Sequence, residues 1–498
     1  MKPFTITVII PRGAGFRDNF PKELLEFSAV SRIILLAGDS SSVASKGFSD
    51  GGSDRLETLR CTNFNSGSVW NEIIARLTTP YFLYLASCNV RLNQRDVERL
   101  LRVAQEAGAA WVYGDYAETD EQGICTHFLS CYQSGSIRDD FDFGPLILIE
   151  TAAAGDAIKK YGDIPPYHWA GLYDLRLKIS TDQELFYLPE SLSIVPKKDR
   201  EPNKEAGDDH FWYVDPQNSD YQTEMEEAAT AHLKRVGAWL TPEFRDVPVA
   251  DYPFPVEASV VIPVRNRART IAEAVQSTVA QKADFPFNVL VVDNHSMDGT
   301  IEILAELALK NPLLKIIVPE RKDLSIGGCW NEAVFSDLCG RYAVQLDSDD
   351  LYQNENVLQR LVSFLRTENC ALVVGSYTVV DADLHVIEPG LIDHREWSES
   401  NGRNNLLRVN GIGAPRAFDT HLLRQVGFPN VGYGEDYAVA LRLSREYRVG
   451  RIYESLYYCR RWEQNSDAVL TPEKKNLYND YKDRLRTIEI KARQRMNG

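Results

Sequence analysis

Leu346-Asp347-Ser348-Asp349-Asp350 closes an apolar run that begins at Tyr342, and Leu85-Ala86-Ser87-Cys88-Asn89 stands at the matching place 261 residues earlier. The match extends both ways. Upstream, Ser68-Val69-Trp70-Asn71-Glu72 recurs as Gly328-Cys329-Trp330-Asn331-Glu332. Downstream, Gly114-Asp115-Tyr116 answers Gly375-Ser376-Tyr377, and Glu190-Ser191-Leu192 answers Glu454-Ser455-Leu456. The chain reads as one domain written twice. Asp347, Asp349 and Asp350 of the second copy are Ala86, Cys88 and Asn89 in the first, which implies one working site and one retired site.

The apolar runs alternate with helical spacing. Ser259–Pro263, Val289–Val292, Lys315–Val318, Tyr342–Leu346 and Ala371–Val374 read as strands. Ile271, Ala274, Val275, Thr278 and Val279 share one helical face. The turn Ser296-Met297-Asp298-Gly299-Thr300 leads into a second helix. Strands alternating with helices predict an α/β fold: a mostly parallel sheet with helices on both faces, Rossmann-like, built twice in tandem. Ligands of such sheets bind beyond the carboxyl ends of the strands, where Asp293 and Asp347 fall.

The domains are expected at 1–200, 201–256 (a linker with a helix over Tyr221–Leu240), 257–470, and 471–498, the last a charged helix. Prolines at 253 and 255 mark the junction near Asp251–Glu257, and Lys197–Asp209 reads as an exposed loop. At 498 residues the chain has room for two full cores. A formal charge of −16 argues against nucleic acid, which selects a basic face. The eight cysteines lack metal-finger spacing and read as reduced thiols. Phe4–Pro11 reads as a first strand, not a signal peptide, and there is no apolar run of about 18 residues, so a cytoplasmic protein is expected, compatible with contact at the inner face of a membrane.

Asp347, Asp349 and Asp350 crowd their charges into four positions, and on an extended segment Asp347 and Asp349 point the same way. Such neighbours repel unless a cation sits among them. Mg²⁺ or Mn²⁺, shared with phosphate oxygens, suits an all-oxygen set. A solvated acidic turn is the plainer alternative.

Four segments together resemble a known family. They are Ile262-Pro263-Val264-Arg265-Asn266-Arg267, Val291-Val292-Asp293-Asn294-His295-Ser296-Met297-Asp298-Gly299-Thr300, the Leu346–Asp350 cluster, and Gly432-Tyr433-Gly434-Glu435-Asp436-Tyr437 before Leu441-Arg442-Leu443. In this order they look like the signatures of family 2 glycosyltransferases, over about Ala258 to Ser466. The resemblance implies the GT-A fold and inverting sugar transfer from a UDP- or GDP-linked donor to a saccharide or lipid-linked acceptor.

Carried over by position, Pro263, Val264 and Arg265 would border the nucleotide base, which Asp293 would bind. Asn331 would join the nucleotide contacts. Asp347 and Asp350 would lie at the nucleotide, with Asp347 and Asp349 on the metal. Asp436 would be the general base, with Glu435 supporting it or meeting the acceptor. A strand-end cap (Asp293) and a helix N-terminal cap (Glu435-Asp436) remain alternatives. The chain departs from the family at Arg265, Trp330 and Trp462, where Tyr, a basic residue and His are common. Arg461-Trp462 also resembles a pair found in processive synthases. Asp393–Asn410 has the polar, aromatic composition of an acceptor loop, in which Trp397 would stack on a sugar or simply pack. His385, His394 and His421 read as surface or satisfied core residues.

In the first copy Pro11 answers Pro263, Ala37 falls near Asp293, and Tyr167-His168-Trp169-Ala170 replaces Tyr433–Asp436. Neither metal ligands nor a base remain there. A polymerase using both halves is the first rival reading, opposed by those losses. A non-catalytic sugar- or partner-binding scaffold is the second, opposed by the intact acids of copy two. A nucleotidyltransferase would show a Gly-rich phosphate loop after Pro263, and there is none.

Overall fold

The computed structural model describes residues 5–13, 15–38, 54–121, 123–197, 218–462 and 470–498. Beyond Lys197, the loop expected over Lys197–Asp209 lies outside the described residues.

The first half contains strands β1 (Ile6–Pro11), β2 (Val30–Gly38), β3 (Leu56–Cys61), β4 (Tyr81–Leu85), β5 (Trp111–Gly114), β6 (Tyr116–Asp120), β7 (Gly123–His127), β8 (Leu146–Glu150), β9 (Leu185–Leu188) and β10 (Ile194–Pro196). Its helices are α1 (Phe20–Leu25), α2 (Gly67–Arg76), α3 (Gln94–Ala107), α4 (Thr151–Tyr161) and α5 (Gly171–Ile179), followed by α6 (Ser219–Arg235). The second half contains β11 (Ala258–Val264), β12 (Phe287–Asp293), β13 (Leu314–Ile317), β14 (Tyr342–Gln345), β15 (Leu351–Tyr352), β16 (Leu372–Val380), β17 (Val386–Ile392), β18 (Arg416–Asp419) and β19 (Val449–Arg460). Between them run α7 (Ile271–Val279), α8 (Thr300–Lys310), α9 (Ile326–Val334), α10 (Val357–Thr367), α11 (Gly402–Asn405), α12 (Thr420–Val426) and α13 (Glu435–Ser444), and α14 (Pro472–Asn497) comes last.

The first sheet has the order β3-β2-β1-β4-β8-β5-β9, parallel except that β8 is antiparallel to both neighbours. The second runs β13-β12-β11-β14-β18-β16-β19-β15 with β17 on β16, and β18 is likewise antiparallel to both neighbours. Order and direction therefore repeat across the central strands. The central strands β1 and β11 are buried along their whole length, as a parallel sheet covered on both faces requires.

Local contacts repeat as well. The Asn71 carboxamide clasps the backbone of Ile164, donating to its carbonyl at 2.9 Å and accepting from its N–H at 3.0 Å. Asn331 clasps Phe428 identically, at 2.8 and 2.9 Å. One residue on, Pro165 and Pro429 press on α2 and α9. A Cβ at Gly67 or Gly327 would stand 1.9 Å from their carbonyl oxygens. Arg99 of α3 binds Glu190, as Arg360 of α10 binds Glu454.

Two boundaries differ from expectation. The helix expected to reach Leu240 ends at Arg235, because Gly237 takes a left-handed φ of 70° and the Leu240 N–H then turns to Asn404 Oδ1 at 3.0 Å. The strand expected to stop at Val374 runs on to Val380, since β17 and β19 flank it there. All eight cysteines are free, Cys125 and Cys131 exposed. Among the described residues no helix is long and apolar enough to cross a membrane.

The halves meet through polar groups around α14. Asp483 accepts from Ser136 Oγ at 2.8 Å and from Arg138 of the first half, and the Gly135 N–H donates to Thr487 Oγ1 at 2.9 Å. Arg408 reaches Asp139 at 2.9 Å, and Asn410 reaches Asp140 at 3.1 Å. Helices α5 and α6 also supply Tyr173, Leu177, Met225 and Leu233 to the apolar core of the second half.

Asn331→Ala leaves a buried carbonyl and amide of the Phe428 strap unpaired, at about 1–3 kcal/mol. Gly327→Ala forces the Pro429 strap outward, at about 1–3 kcal/mol. Urea unfolding should show both losses, and the same for Asn71→Ala and Gly67→Ala. Unchanged midpoints would remove the clasp from the account of the fold.

Candidate active site

The carboxyl ends of β11, β12 and β14 converge on one edge of the second sheet. Pro263 and Val264 are buried, and the Val264 carbonyl accepts from the Asn294 N–H at 2.8 Å, so they floor the edge while Arg265 stands exposed at its rim. Asp293, 2% exposed, accepts from the Ser296 N–H at 3.2 Å through Oδ2, while its Oδ1 has no partner. The turn after β12 is braced against the loop after β11: the Asn266 N–H donates to Ser296 Oγ at 2.8 Å, and the Ala268 N–H to Asp298 Oδ2 at 3.0 Å. Both ends of the Asn331 amide are engaged by Phe428, so its side chain holds the strap. Trp330 beside it is buried against Phe418 and Phe428.

Beyond β14, Gln345 Nε2 donates to both carboxylate oxygens of Asp347 at 2.9 and 3.0 Å, and the Asp347 N–H donates to Tyr457 Oη at 3.1 Å. Arg267 lies 3.5 Å from Asp349, and Asp350 accepts from the Arg460 N–H at 2.8 Å. Burial, then the Asp347 charge, raises the Asp349 pKa. Burial, then Asp349 and Asp347, pushes Asp350 well above the carboxylate range. The three carboxylates do not bring ligand atoms within 4.8 Å of one another. As placed, all three therefore do not ligate one ion, and a divalent ion held by Asp347 and Asp349 would need phosphate oxygens to complete its shell.

The late acidic motif opens α13. Asp436 pairs with Arg416, the first residue of β18, and its side chain is 24% exposed. The Arg416 N–H in turn donates to Gln345 Oε1 at 3.2 Å. Asp347, Gln345, Arg416 and Asp436 thus form one continuous chain of contacts. Glu435 is buried against Gly327, and burial, followed by the Asp436 and Asp347 charges, raises its pKa to about 8. Opposite stands Lys482 of α14, its ammonium 4.2 Å from the Tyr433 ring and donating to the Asn410 carbonyl. Burial lowers its pKa to about 8, against the pull of Asp436. Sequence reasoning missed Arg416, Gln345 and Lys482; nothing local distinguishes Lys482 within a helix already dense in charge.

In the first half, Glu224 of α6 accepts from the N–H groups of His168 and Trp169 at 2.8 Å each, capping the start of α5 where the second half carries its acids. Strand register places Pro11 beside Leu36 and Pro263 beside Val292, so Ala37 occupies the place of Asp293.

Trp397 does not reach a sugar site: it is 8% exposed, packed on Gly402 with Arg451 4.6 Å over its ring. His394 is buried and bonds Glu396 at 3.0 Å, and His421 bonds Tyr252 at 3.2 Å. His385 joins Asp381 and Asp383 in an exposed group that could hold an ion, but Asp381 Oδ1 there caps the turn, accepting from the N–H groups of Asp383 and His385 at 2.9 Å.

Glu435 keeps its proton to about pH 8, whereas an unfolded glutamic acid, near 4.5, is already ionised. Between those values the folded state holds the extra proton, so this group's contribution to stability falls as pH rises. Glu435→Gln removes the penalty. Its stability relative to the parent should rise from pH 5 to pH 8, by on the order of 1 kcal/mol per unit at most. A difference independent of pH in paired denaturant titrations would show that Glu435 ionises as in water.

The family model for "Glycosyl transferase family 2" matches residues 259–428, the segment that carries this edge. An uncharacterized glycosyltransferase of Rickettsia felis is 21% identical over 487 residues, covering 91% of this chain and 78% of that protein. The chondroitin synthase of Escherichia coli is 32% identical over 133 residues, 26% of this chain and 19% of that one. Among solved structures, S. aureus TarS 1–349 in complex with UDP-GlcNAc is 24% identical, covering 47% of this chain and 66% of that one at a TM-score of 0.38. The second half therefore holds a glycosyl transferase family 2 domain, and the chain is a glycosyltransferase.

Proposed function

We propose that the second half transfers a sugar, with inversion, from a UDP- or GDP-linked donor to a hydroxyl of a saccharide or lipid-linked acceptor. The observation that carries this reading is the contact chain from Asp347 through Gln345 and Arg416 to Asp436, which joins the donor edge to the acid at the start of α13. The partnerless Asp293 Oδ1 suits a donor group on the nucleotide base.

Asp436 is the base, because its side chain is the more accessible of the two acids while Glu435 is buried. Its carboxylate takes the acceptor hydroxyl proton as the oxygen bonds to the anomeric carbon. The bond from that carbon to the diphosphate breaks on the opposite face, and its electron pair leaves with the nucleoside diphosphate. Arg416 fixes the orientation of Asp436. Glu435, protonated at neutral pH, would donate a hydrogen bond rather than take the proton. Asp347 and Asp349 are the residues to hold Mg²⁺ or Mn²⁺, with Asp350 behind them; the ion would neutralise charge on the departing diphosphate.

The first half serves as support or acceptor platform without binding donor. Ala86, Cys88 and Asn89 offer no metal site there, and Glu224 closes the helix end. The division near residue 256 used in this reading is supported by the start of β11 at Ala258.

Asp436→Asn should lower turnover by about 10²–10⁴-fold while donor binding persists. If Glu435→Gln does so instead, the roles are exchanged. In calorimetry, nucleoside diphosphate should bind at one site per chain, and the affinity should collapse on chelation and in Asp349→Ala. Binding indifferent to the ion, or two sites per chain, would overturn the assignment.

A further inference from the structure

Helix α14 is inverted with respect to an ordinary surface helix. Its buried side is ionic, with Lys482, Asp483, Arg486, Glu489 and Arg493 each at most 4% exposed. Its outer side carries Lys474, Leu477, Arg484, Ile488, Lys491 and Arg495, all exposed, with Leu477 at 65% and Ile488 at 63%. Their spacings of 3, 7, 4, 3 and 4 keep them on one stripe, roughly 30 Å long at 1.5 Å per residue. Glu473 is the acid on that side, which leaves the stripe cationic in a chain of net charge −16. Among the described residues no ion pair joins a carboxylate to Lys474, Arg484, Lys491 or Arg495, and the half-buried Asp480, one turn before Arg484, is the acid that feels its charge. The exposed Phe128 flanks the first turns, its carbonyl accepting from Asn476.

We propose that this outer stripe of α14 docks the protein on an anionic lipid surface. Two long apolar side chains set among four cations are the composition of a helix that lies in a bilayer interface, apolar groups entering the headgroup boundary and basic ends meeting the phosphates. A nucleic acid would use the cations and leave Leu477 and Ile488 in water. The rest of so acidic a chain is repelled by an anionic surface, so the stripe also fixes the orientation. The inner side of the same helix touches the catalytic loop: Tyr478 stacks on Tyr433 at 4.2 Å, two residues before Glu435. Docking holds that loop about one helix diameter, roughly 10 Å, from the surface.

The test uses the full chain and no sugar donor, so it stands apart from the transfer reaction. The protein is sedimented with phosphatidylcholine vesicles, with and without phosphatidylglycerol. It should pellet with the anionic vesicles alone and be released by salt. At about fivefold per cation near such a surface, the combined variant K474E/R484E/K491E/R495E should lose at least tenfold in vesicle affinity. L477N/I488N should lose severalfold. Circular dichroism should stay at the parent spectrum for both. Absence of binding to anionic vesicles, or equal binding by the charge variant, would overturn the proposal. So would a dimer that L477N/I488N disperses, since the stripe would then be covered by a second copy.

Discussion

The ionic inner side of α14 is the constraint on which the molecule depends. Arg486 and Arg493 are fully buried, and neither tolerates a missing partner. Arg486 donates to Asp483, Tyr437 Oη, the Val409 carbonyl and Asn410 Oδ1. Arg493 does so to Glu489, Asn404 Oδ1 and the Arg403 carbonyl. Removing one member of a buried pair costs about 3–5 kcal/mol, whereas a poorly aimed apolar contact costs far less. Such an interface therefore has one register. Asp483 passes that register to Ser136 and Arg138 of the first half, and Arg486 passes it to Tyr437, next to the acid pair.

The two halves share a frame and differ in charge. Both keep the strand order, the asparagine clasp and the glycine under the proline strap, which are requirements of packing. Only the second keeps carboxylates at the ends of the matching central strands, Asp293 on β12 and Asp347 after β14, where packing gains nothing from them. The following helices show the same division of labour. Helix α6 brings Glu224 to cap bare amides, while α14 brings Lys482 toward acids that occupy the corresponding helix start. A carboxylate against Glu435 and Asp436 would repel, and an ammonium against the amides of His168 and Trp169 would find no acceptor.

Much of this was legible in the residues because it is written locally. Periodicity two and helical spacing gave the alternating elements, and the offset between Trp70 and Trp330 pointed to two halves whose central strands share one order. The acids after Leu346 marked the working edge, since a buried strand ending in charge needs a reason. What was not legible depends on contacts far apart in sequence. Trp397 has the composition of a stacking platform, yet Gly402 and Arg451 draw it into the core. Asn331 looks like a ligand until Phe428, nearly a hundred residues on, takes both ends of its amide. Lys482 is one cation among many in α14, and only the fold brings it to Tyr433. The helix end at Arg235 turned on a glycine conformation that periodicity does not register.

The distance along the chain between Asp483 and its partners, 345 residues to Arg138 and 347 to Ser136, also sets an order of events during synthesis. At ribosomal rates of about 5–20 residues per second, the first half waits on the order of tens of seconds for the helix that completes its boundary. Through that interval its docking surface shows Ser136, Arg138, Asp139 and Asp140, all comfortable in water, beside the apolar Tyr173 and Leu177 of α5. An apolar seam of the same size would be exposed to aggregation for just as long. The charged part of the boundary reduces that exposure, and it commits the nascent half only when its last partner emerges.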